Sequence, residues 1–313
     1  MTGNSILPLK FRASVLLALR GVLAAGILFF LFRFVSFSEV ARSFAEAKLE
    51  YLSGAIALMA VNLSLQYLKW RYFVRLINPS NTNSESAASF LFGITLGTIT
   101  PGQIGEFGGR AIRHSSMASG TIVGLTLVDR LQMISVLGIG GGIGLVILFG
   151  PGGFLNWLIA TVAASGFVAL FFNPGFIMHA LSWFGPKFRS MQWVADLESA
   201  VNVFRLKQLT VSFVFSLAFY SVICVQMFLL LNAYSAVTWW DSFAGFGAMM
   251  FTKALLPISL GDLGIREAGA VFFYSARGVA PATSLSAALL LFVINVLFPS
   301  AVGLLFMPRN KSR

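Results

Sequence analysis

The 313 residues are 57% hydrophobic and 11% charged, against about 25% charged in ordinary soluble domains, and mean hydropathy is +0.84. This composition excludes a soluble enzyme and makes the chain a single integral membrane domain over 1–313. The net charge of +11 falls in short basic clusters beside apolar runs, as topology signals do and nucleic-acid surfaces do not. One cysteine and two histidines exclude an intrachain disulfide and a histidine-rich metal site, so neither metal nor cofactor is expected.

Lys10 and Arg12 precede a first apolar run that carries Arg20 and Arg33, shows no cleavage site and reads as a retained helix at about 14–36. Further spans are predicted at about 50–68, 120–149, 154–172, 208–232 and 283–306, each near the roughly 20 residues that cross about 30 Å of hydrocarbon. The runs are apolar all round, against the alternation of a membrane β-barrel. Clusters at Lys10/Arg12, Lys69/Arg71/Arg75, Lys187/Arg189/Arg205/Lys207 and Arg309/Lys311/Arg313 belong in the cytoplasm by the positive-inside rule. Both termini are then cytoplasmic, in a plasma (inner) membrane. Over 181–206, Phe184, Phe188, Met191, Val194, Leu197, Val201 and Phe204 recur at helical spacing. They form either a cytoplasmic amphipathic helix on the membrane or a cover packed on the bundle.

A short pattern occurs twice: Pro101-x-x-x-Gly105-Glu106-x-Gly108-x-Arg110 and Pro257-x-x-x-Gly261-Asp262-x-Gly264-x-Arg266, offset by a constant (257 − 101 = 156). At the same offset Glu85 matches Asp241 and Ser86 matches Ser242. Each copy follows an apolar run, Ala87 to Ile99 and Phe243 to Leu256, in the 10–14-residue class of re-entrant segments. The segments 86–117 and 242–278 are therefore read as re-entrant broken helices. Pro101 and Pro257 end the first half-helix, and the glycines Gly105, Gly108, Gly261 and Gly264 allow the reversal. The fold expected is all-α and polytopic, with about six full transmembrane helices. The halves, about 1–150 and 154–313, are related as an inverted repeat of the secondary-transporter kind.

Left unpaired at bilayer depth, Glu106, Arg110, Asp262, Arg266 and Glu267 would cost about 3 kcal/mol each, so they are paired or hydrated. Glu106/Arg110 and Asp262/Arg266 stand four apart and can pair locally on one helical face. Alternatively the two tips meet in a water-accessible cavity. There the guanidiniums hold a phosphate, the carboxylates hold a cation or a proton, and inward-facing helix N-termini attract anions. Asp129 and Arg130 either rest at the cytoplasmic interface or pair with neighbouring helices. Lys253 lines the cavity or snorkels, Arg113 and His114 sit at the mouth of the first element, and Asn295 is an interhelical hydrogen-bond former. The run Gly138, Gly140, Gly141, Gly142, Gly144 signals close helix packing rather than a phosphate loop.

The blocks TPGQIGEFGGR with a following LVDR, and LPISLGDLGIREAG followed by GVAPATSLSAALLLFVINV, resemble the lysylphosphatidylglycerol synthase transmembrane-region family, also described as flippase-like domain proteins. The resemblance covers most of the chain. It implies an integral membrane fold and, in the best-known relatives, translocation of an aminoacylated phospholipid between leaflets. Other relatives are associated with polyprenyl-linked glycan or hopanoid lipid pathways. The matched polar positions are Glu106, Arg110, Asp129, Arg130, Asp262, Arg266 and Glu267. Full-length synthases carry a soluble aminoacyl-transferring domain after the membrane region. This chain stops at Arg313, so it is expected to lack that domain.

Three functions follow. The first is a lipid flippase or transporter-like protein for a phospholipid or other lipid-linked anion. The second is an integral membrane transferase with Glu106 or Asp262 as general base. The third is a scaffold for a separately encoded lipid-modifying enzyme. Membrane lipids are partners in all three, and nucleic acid in none.

Overall fold

The computed structural model describes residues 37–114, 116–150, 191–255 and 264–307. The regular structure among them is helical. The expected spans at 14–36 and 154–172, residues 181–190, and the motif residues Pro257, Gly261 and Asp262 lie outside the described residues.

Helix α1 (Phe37–Glu46) leads into α2 (Leu49–Ile77). A short pair follows, α3 (Asn83–Thr98) and α4 (Gly105–Arg113), and then the long α5 (Ser119–Phe149). After α6 (Gln192–Asn202) the same order returns as α7 (Leu206–Asn232), the short pair α8 (Trp239–Leu255) and α9 (Ile265–Ser275), and a long broken helix. That helix runs as α10 (Pro281–Phe292), a π-helical segment (Val293–Leu297) and α11 (Phe298–Leu304). The matching elements begin at 49 and 206, 83 and 239, 105 and 265, and 119 and 281, so the pattern of long, short, short, long recurs near the spacing of the motif.

Among the described residues, four helices, α2, α5, α7 and the continuous stretch Pro281–Leu304, are long and apolar enough to cross a membrane. At 1.5 Å per residue the 31 residues of α5 reach roughly 45 Å, more than one hydrocarbon thickness. The protein is an integral membrane protein.

The glycine run lets α5 and α8 touch backbone to backbone. A methyl at Gly144 would meet the Ala244 carbonyl at 2.6 Å, and one at Gly141 would run into Phe251. Helix α6 turns Val194, Leu197, Ala200 and Val201 inward onto the start of α5, where Gly124 lies against the Leu197 carbonyl. The last helix bridges the two short pairs. Its second half packs on α3, with Thr98 Oγ1 2.5 Å from Ser300 Oγ and Thr95 donating to the Ser300 carbonyl at 2.8 Å. Its first half packs on α7 and α9.

Candidate functional site

The first hairpin is built from close glycine contacts. After α3 ends at Thr98, the turn passes through Gly102 and Gln103 with φ of 58° and 59°, and the Thr100 hydroxyl accepts from the Gly105 amide at 2.7 Å. A methyl at Gly105 would overlap the Leu96 carbonyl, and one at Gly109 would lie 2.9 Å from both Gly93 Cα and the Phe92 carbonyl. Helix α4 therefore lies directly on α3, which sends Glu106 and Arg110 inward, both buried. Gly108 is exposed, with nothing near its missing Cβ. Of the motif glycines in this copy it is Gly105 that the packing requires, joined by Gly109, which the pattern did not single out.

A five-member chain of alternating charge runs through the bundle. Arg110 pairs with Glu106 one turn earlier, and its Nη1 donates to Asp129 Oδ2 on α5 at 2.9 Å. Its guanidinium lies 4.1 Å over the Trp70 ring. The other oxygen of Asp129 is 2.7 Å from Lys69 Nζ, which also donates to Ser216 Oγ on α7 at 2.7 Å. The second oxygen of Glu106 takes Arg130. The order is thus Lys69, Asp129, Arg110, Glu106, Arg130.

One sequence expectation changes here. Lys69, counted above as a cytoplasmic topology signal, is buried and belongs to the site, because a cation that far along α2 reaches the carboxylate on α5. Glu106 and Asp129 have both oxygens on protein cations, as burial in a poorly polarisable interior demands of carboxylates. The local pairing of Glu106 with Arg110 is present, and Asp129 and Arg130 pair with neighbouring helices.

The second hairpin solves the same problem differently. Gly264 precedes α9 with φ +88°, a region that favours glycine. Its amide donates to Glu267 Oε2 at 2.7 Å. Glu267 Oε1 accepts from Arg266 Nη2 at 2.5 Å, and the Arg266 guanidinium lies 4.9 Å over the Phe292 ring. The amide of Gly105, the first residue of α4, is thus taken by Thr100, and that of Gly264, the N-cap of α9, by Glu267. These two amides are engaged within the protein.

Both hairpins line one cavity of about 180 Å³. Glu106 and Arg110 enter from α4, Lys253 from α8 and Arg266 from α9, while Lys69, Asp129 and Arg130 complete its charged wall. Five cations (Lys69, Arg110, Arg130, Lys253, Arg266) face two carboxylates, with Glu267 behind Arg266 as a third, a surplus of two positive charges among the described residues.

A family profile described as lysylphosphatidylglycerol synthase TM region matches residues 16–303, which takes in both hairpins and the cavity wall. The chain belongs to that family. This places it among membrane proteins that act on lipids. No curated protein matches the sequence.

In this member of the family, an uncharged relay enters the cavity beside the charges. Asn62 Nδ2 donates to Asn295 Oδ1 at 2.6 Å, so Asn295 is the interhelical hydrogen-bond former expected. Asn295 Nδ2 donates in turn to Gln226 at 3.1 Å. Sequence reading missed Asn62, Gln66 and Lys69, although the signal was present: the spacing 62, 66, 69 puts three polar groups on one face of an otherwise apolar helix. At the hairpin mouth, Arg113 Nε donates to the Phe306 carbonyl at 3.0 Å, and the buried His114 lies 3.3 Å from Glu85.

Proposed function

We propose that the protein is a lipid flippase or transporter-like protein that holds the anionic headgroup of a phospholipid, or of another lipid-linked anion, in the cavity between the two hairpins. The observation that carries this reading is that Arg110 and Arg266, one from each copy of the motif, line the same cation-rich cavity. Arginine suits a phosphodiester because its planar fork donates two parallel hydrogen bonds. The cavity is smaller than the roughly 300–1,000 Å³ that encloses a drug-sized ligand, so it takes a headgroup while the acyl chains stay in the bilayer.

In this reading the α3–α4 hairpin dips into the plasma membrane from the cytoplasm and α8–α9 from outside, making the halves an inverted repeat around a midplane site. Both termini are cytoplasmic. Arg110, Arg130, Arg266, Lys69 and Lys253 hold the anion, and Glu106, Asp129 and Glu267 keep the cations in place until it arrives. Asp262 joins the second motif.

The transferase reading requires a carboxylate that acts as general base. The described carboxylates of the cavity wall, Glu106 and Asp129, have each oxygen on a cation. The test is leaflet exchange of fluorescent phosphatidylglycerol and phosphatidylcholine in proteoliposomes. Faster exchange of the anionic lipid than in protein-free vesicles supports the reading. No exchange of either, together with product formation that needs an added soluble donor, would replace it with the transferase.

A further inference from the structure

Helix α7 borders two cavities on different faces. Phe215 and Phe219 face the charged cavity, while Phe213, Leu217 and Val225 line a second, apolar cavity of about 270 Å³ between α7, α5 and α8. Ile139 and Ile143 supply its α5 wall, and Trp239 forms the rim at the start of α8. Ile143, Leu217 and Trp239 are exposed, so this cavity is a groove that opens sideways. Both α5 and α7 are long and apolar enough to cross a membrane, and the opening therefore faces hydrocarbon.

The polar atoms of the groove are engaged or buried within the protein. Ser221 Oγ donates to the Leu217 carbonyl at 2.9 Å. The Tyr220 hydroxyl is buried against Gly140, where a methyl would overlap it, so the glycine makes room for the ring that floors the groove. Cys224, also buried, behaves as a small hydrophobe. What the groove offers a ligand is apolar surface.

Its dimensions select the occupant. From Phe213 to Val225 it follows twelve residues of α7 (225 − 213 = 12), about 18 Å at 1.5 Å per residue. That is slightly more than one leaflet's share of the roughly 30 Å hydrocarbon core. Phe228 packs edge to face on Trp239 with ring centroids 5.5 Å apart, which puts the Trp239 rim about one turn past Val225. Tryptophan favours the membrane–water boundary, so the rim is the headgroup end. A helix from a second copy would need about 1,400 Å³ over the same length, given a diameter of about 10 Å, several times what the groove encloses. A single extended hydrocarbon chain fits.

We infer that this groove is a lipid-binding site that takes one acyl chain of a bilayer lipid, with the headgroup end at Trp239 and the chain running along α7 toward Phe213. It is separate from the charged cavity and does not rest on what binds there.

The experiment reconstitutes the full chain in bilayers doped with a phosphatidylcholine that carries a photoreactive diazirine in its acyl chain, and maps the labelled residues by mass spectrometry. A zwitterionic headgroup keeps the anion cavity out of the readout. The reference is the exposed apolar surface of α2 at Ile56, Val61 and Leu68. Labelling of α5 136–143 and α7 213–225 should exceed that of the reference by about threefold or more; lipid tails are as apolar as the lining, so close packing alone favours the groove. Leu217→Trp, which fills the groove from its exposed rim, should bring groove labelling down to the reference level and leave α2 labelling unchanged. Ser221→Phe, at another exposed position, should do the same. Equal labelling of groove and reference in wild type would mean an ordinary lipid-facing surface and overturn the inference. Groove labelling below the reference would mean that protein covers it, a second copy included, and an enrichment that survives both variants would place the chain elsewhere; either overturns it too.

Discussion

Arg110 donates to Asp129 Oδ2 at 2.9 Å while still paired with Glu106 on its own helix, so one guanidinium ties the first hairpin to the long helix α5. Lys69 extends the tie to α2 through the other oxygen of Asp129, at 2.7 Å. Three elements thus meet on two carboxylate oxygens.

Removing the charge of Asp129 should be costly. In Asp129→Asn, Lys69 and Arg110 stay buried with one carboxylate fewer, and breaking such a pair costs about 3–5 kcal/mol. The lower end is expected, because the Asp129 side chain keeps 17% exposure. Adding Lys69→Met to this variant removes the stranded cation and should recover part of the loss. Chemical unfolding in detergent measures both, and a single-variant cost below about 1 kcal/mol, the range of exposed pairs, would mean that the network is solvated.

Neighbouring glycines should respond in opposite ways. Gly109→Ala places a methyl 2.9 Å from the backbone of α3, an overpacking that costs about 1–3 kcal/mol. Gly108→Ala meets nothing within 4 Å and should be neutral or stabilising by up to about 1 kcal/mol through helix propensity. Melting temperatures of the two variants check this directly, and equal effects would contradict the hairpin packing.

Acidification should loosen the mouth of the first hairpin. Burial pushes the His114 imidazole below its ordinary value, with Glu85 opposing. The unfolded chain therefore takes up the proton more readily than the folded one. Stability from this group is present above the ordinary value of about 6.5 and declines as pH falls below it. Melting temperature measured between about pH 7.5 and 5.5 should fall less in His114→Gln than in wild type.

Much of the fold was legible because its causes are local. Long apolar runs announce α2, α5, α7 and the last helix, while Pro101 and the glycines of the motif announce the hairpin turn. The four-residue spacing of Glu106 and Arg110 announces their pairing. Other features were hidden by long-range geometry. Lys69 looked like a topology signal because Arg71 and Arg75 follow it, and only the approach of α5 at Asp129 shows its role. Arg266 pairs with its chain neighbour Glu267, a spacing that does not place side chains face to face on a regular helix. It does so because Glu267 folds back to cap Gly264. Gly109 lay beside a motif position and was not part of it.

The central claim is that the two hairpins share one anion site, and a double-mutant cycle on lipid exchange tests it most directly. Exchange of fluorescent phosphatidylglycerol is measured for wild type, Arg110→Gln, Arg266→Gln and the double variant, each reconstituted from folded protein. With one shared site, each single change lowers the rate by about tenfold or more, the worth of a charge-assisted hydrogen bond, and the double variant is little worse than either. Additive losses would mean two independent sites, and unchanged exchange in both single variants would contradict the account.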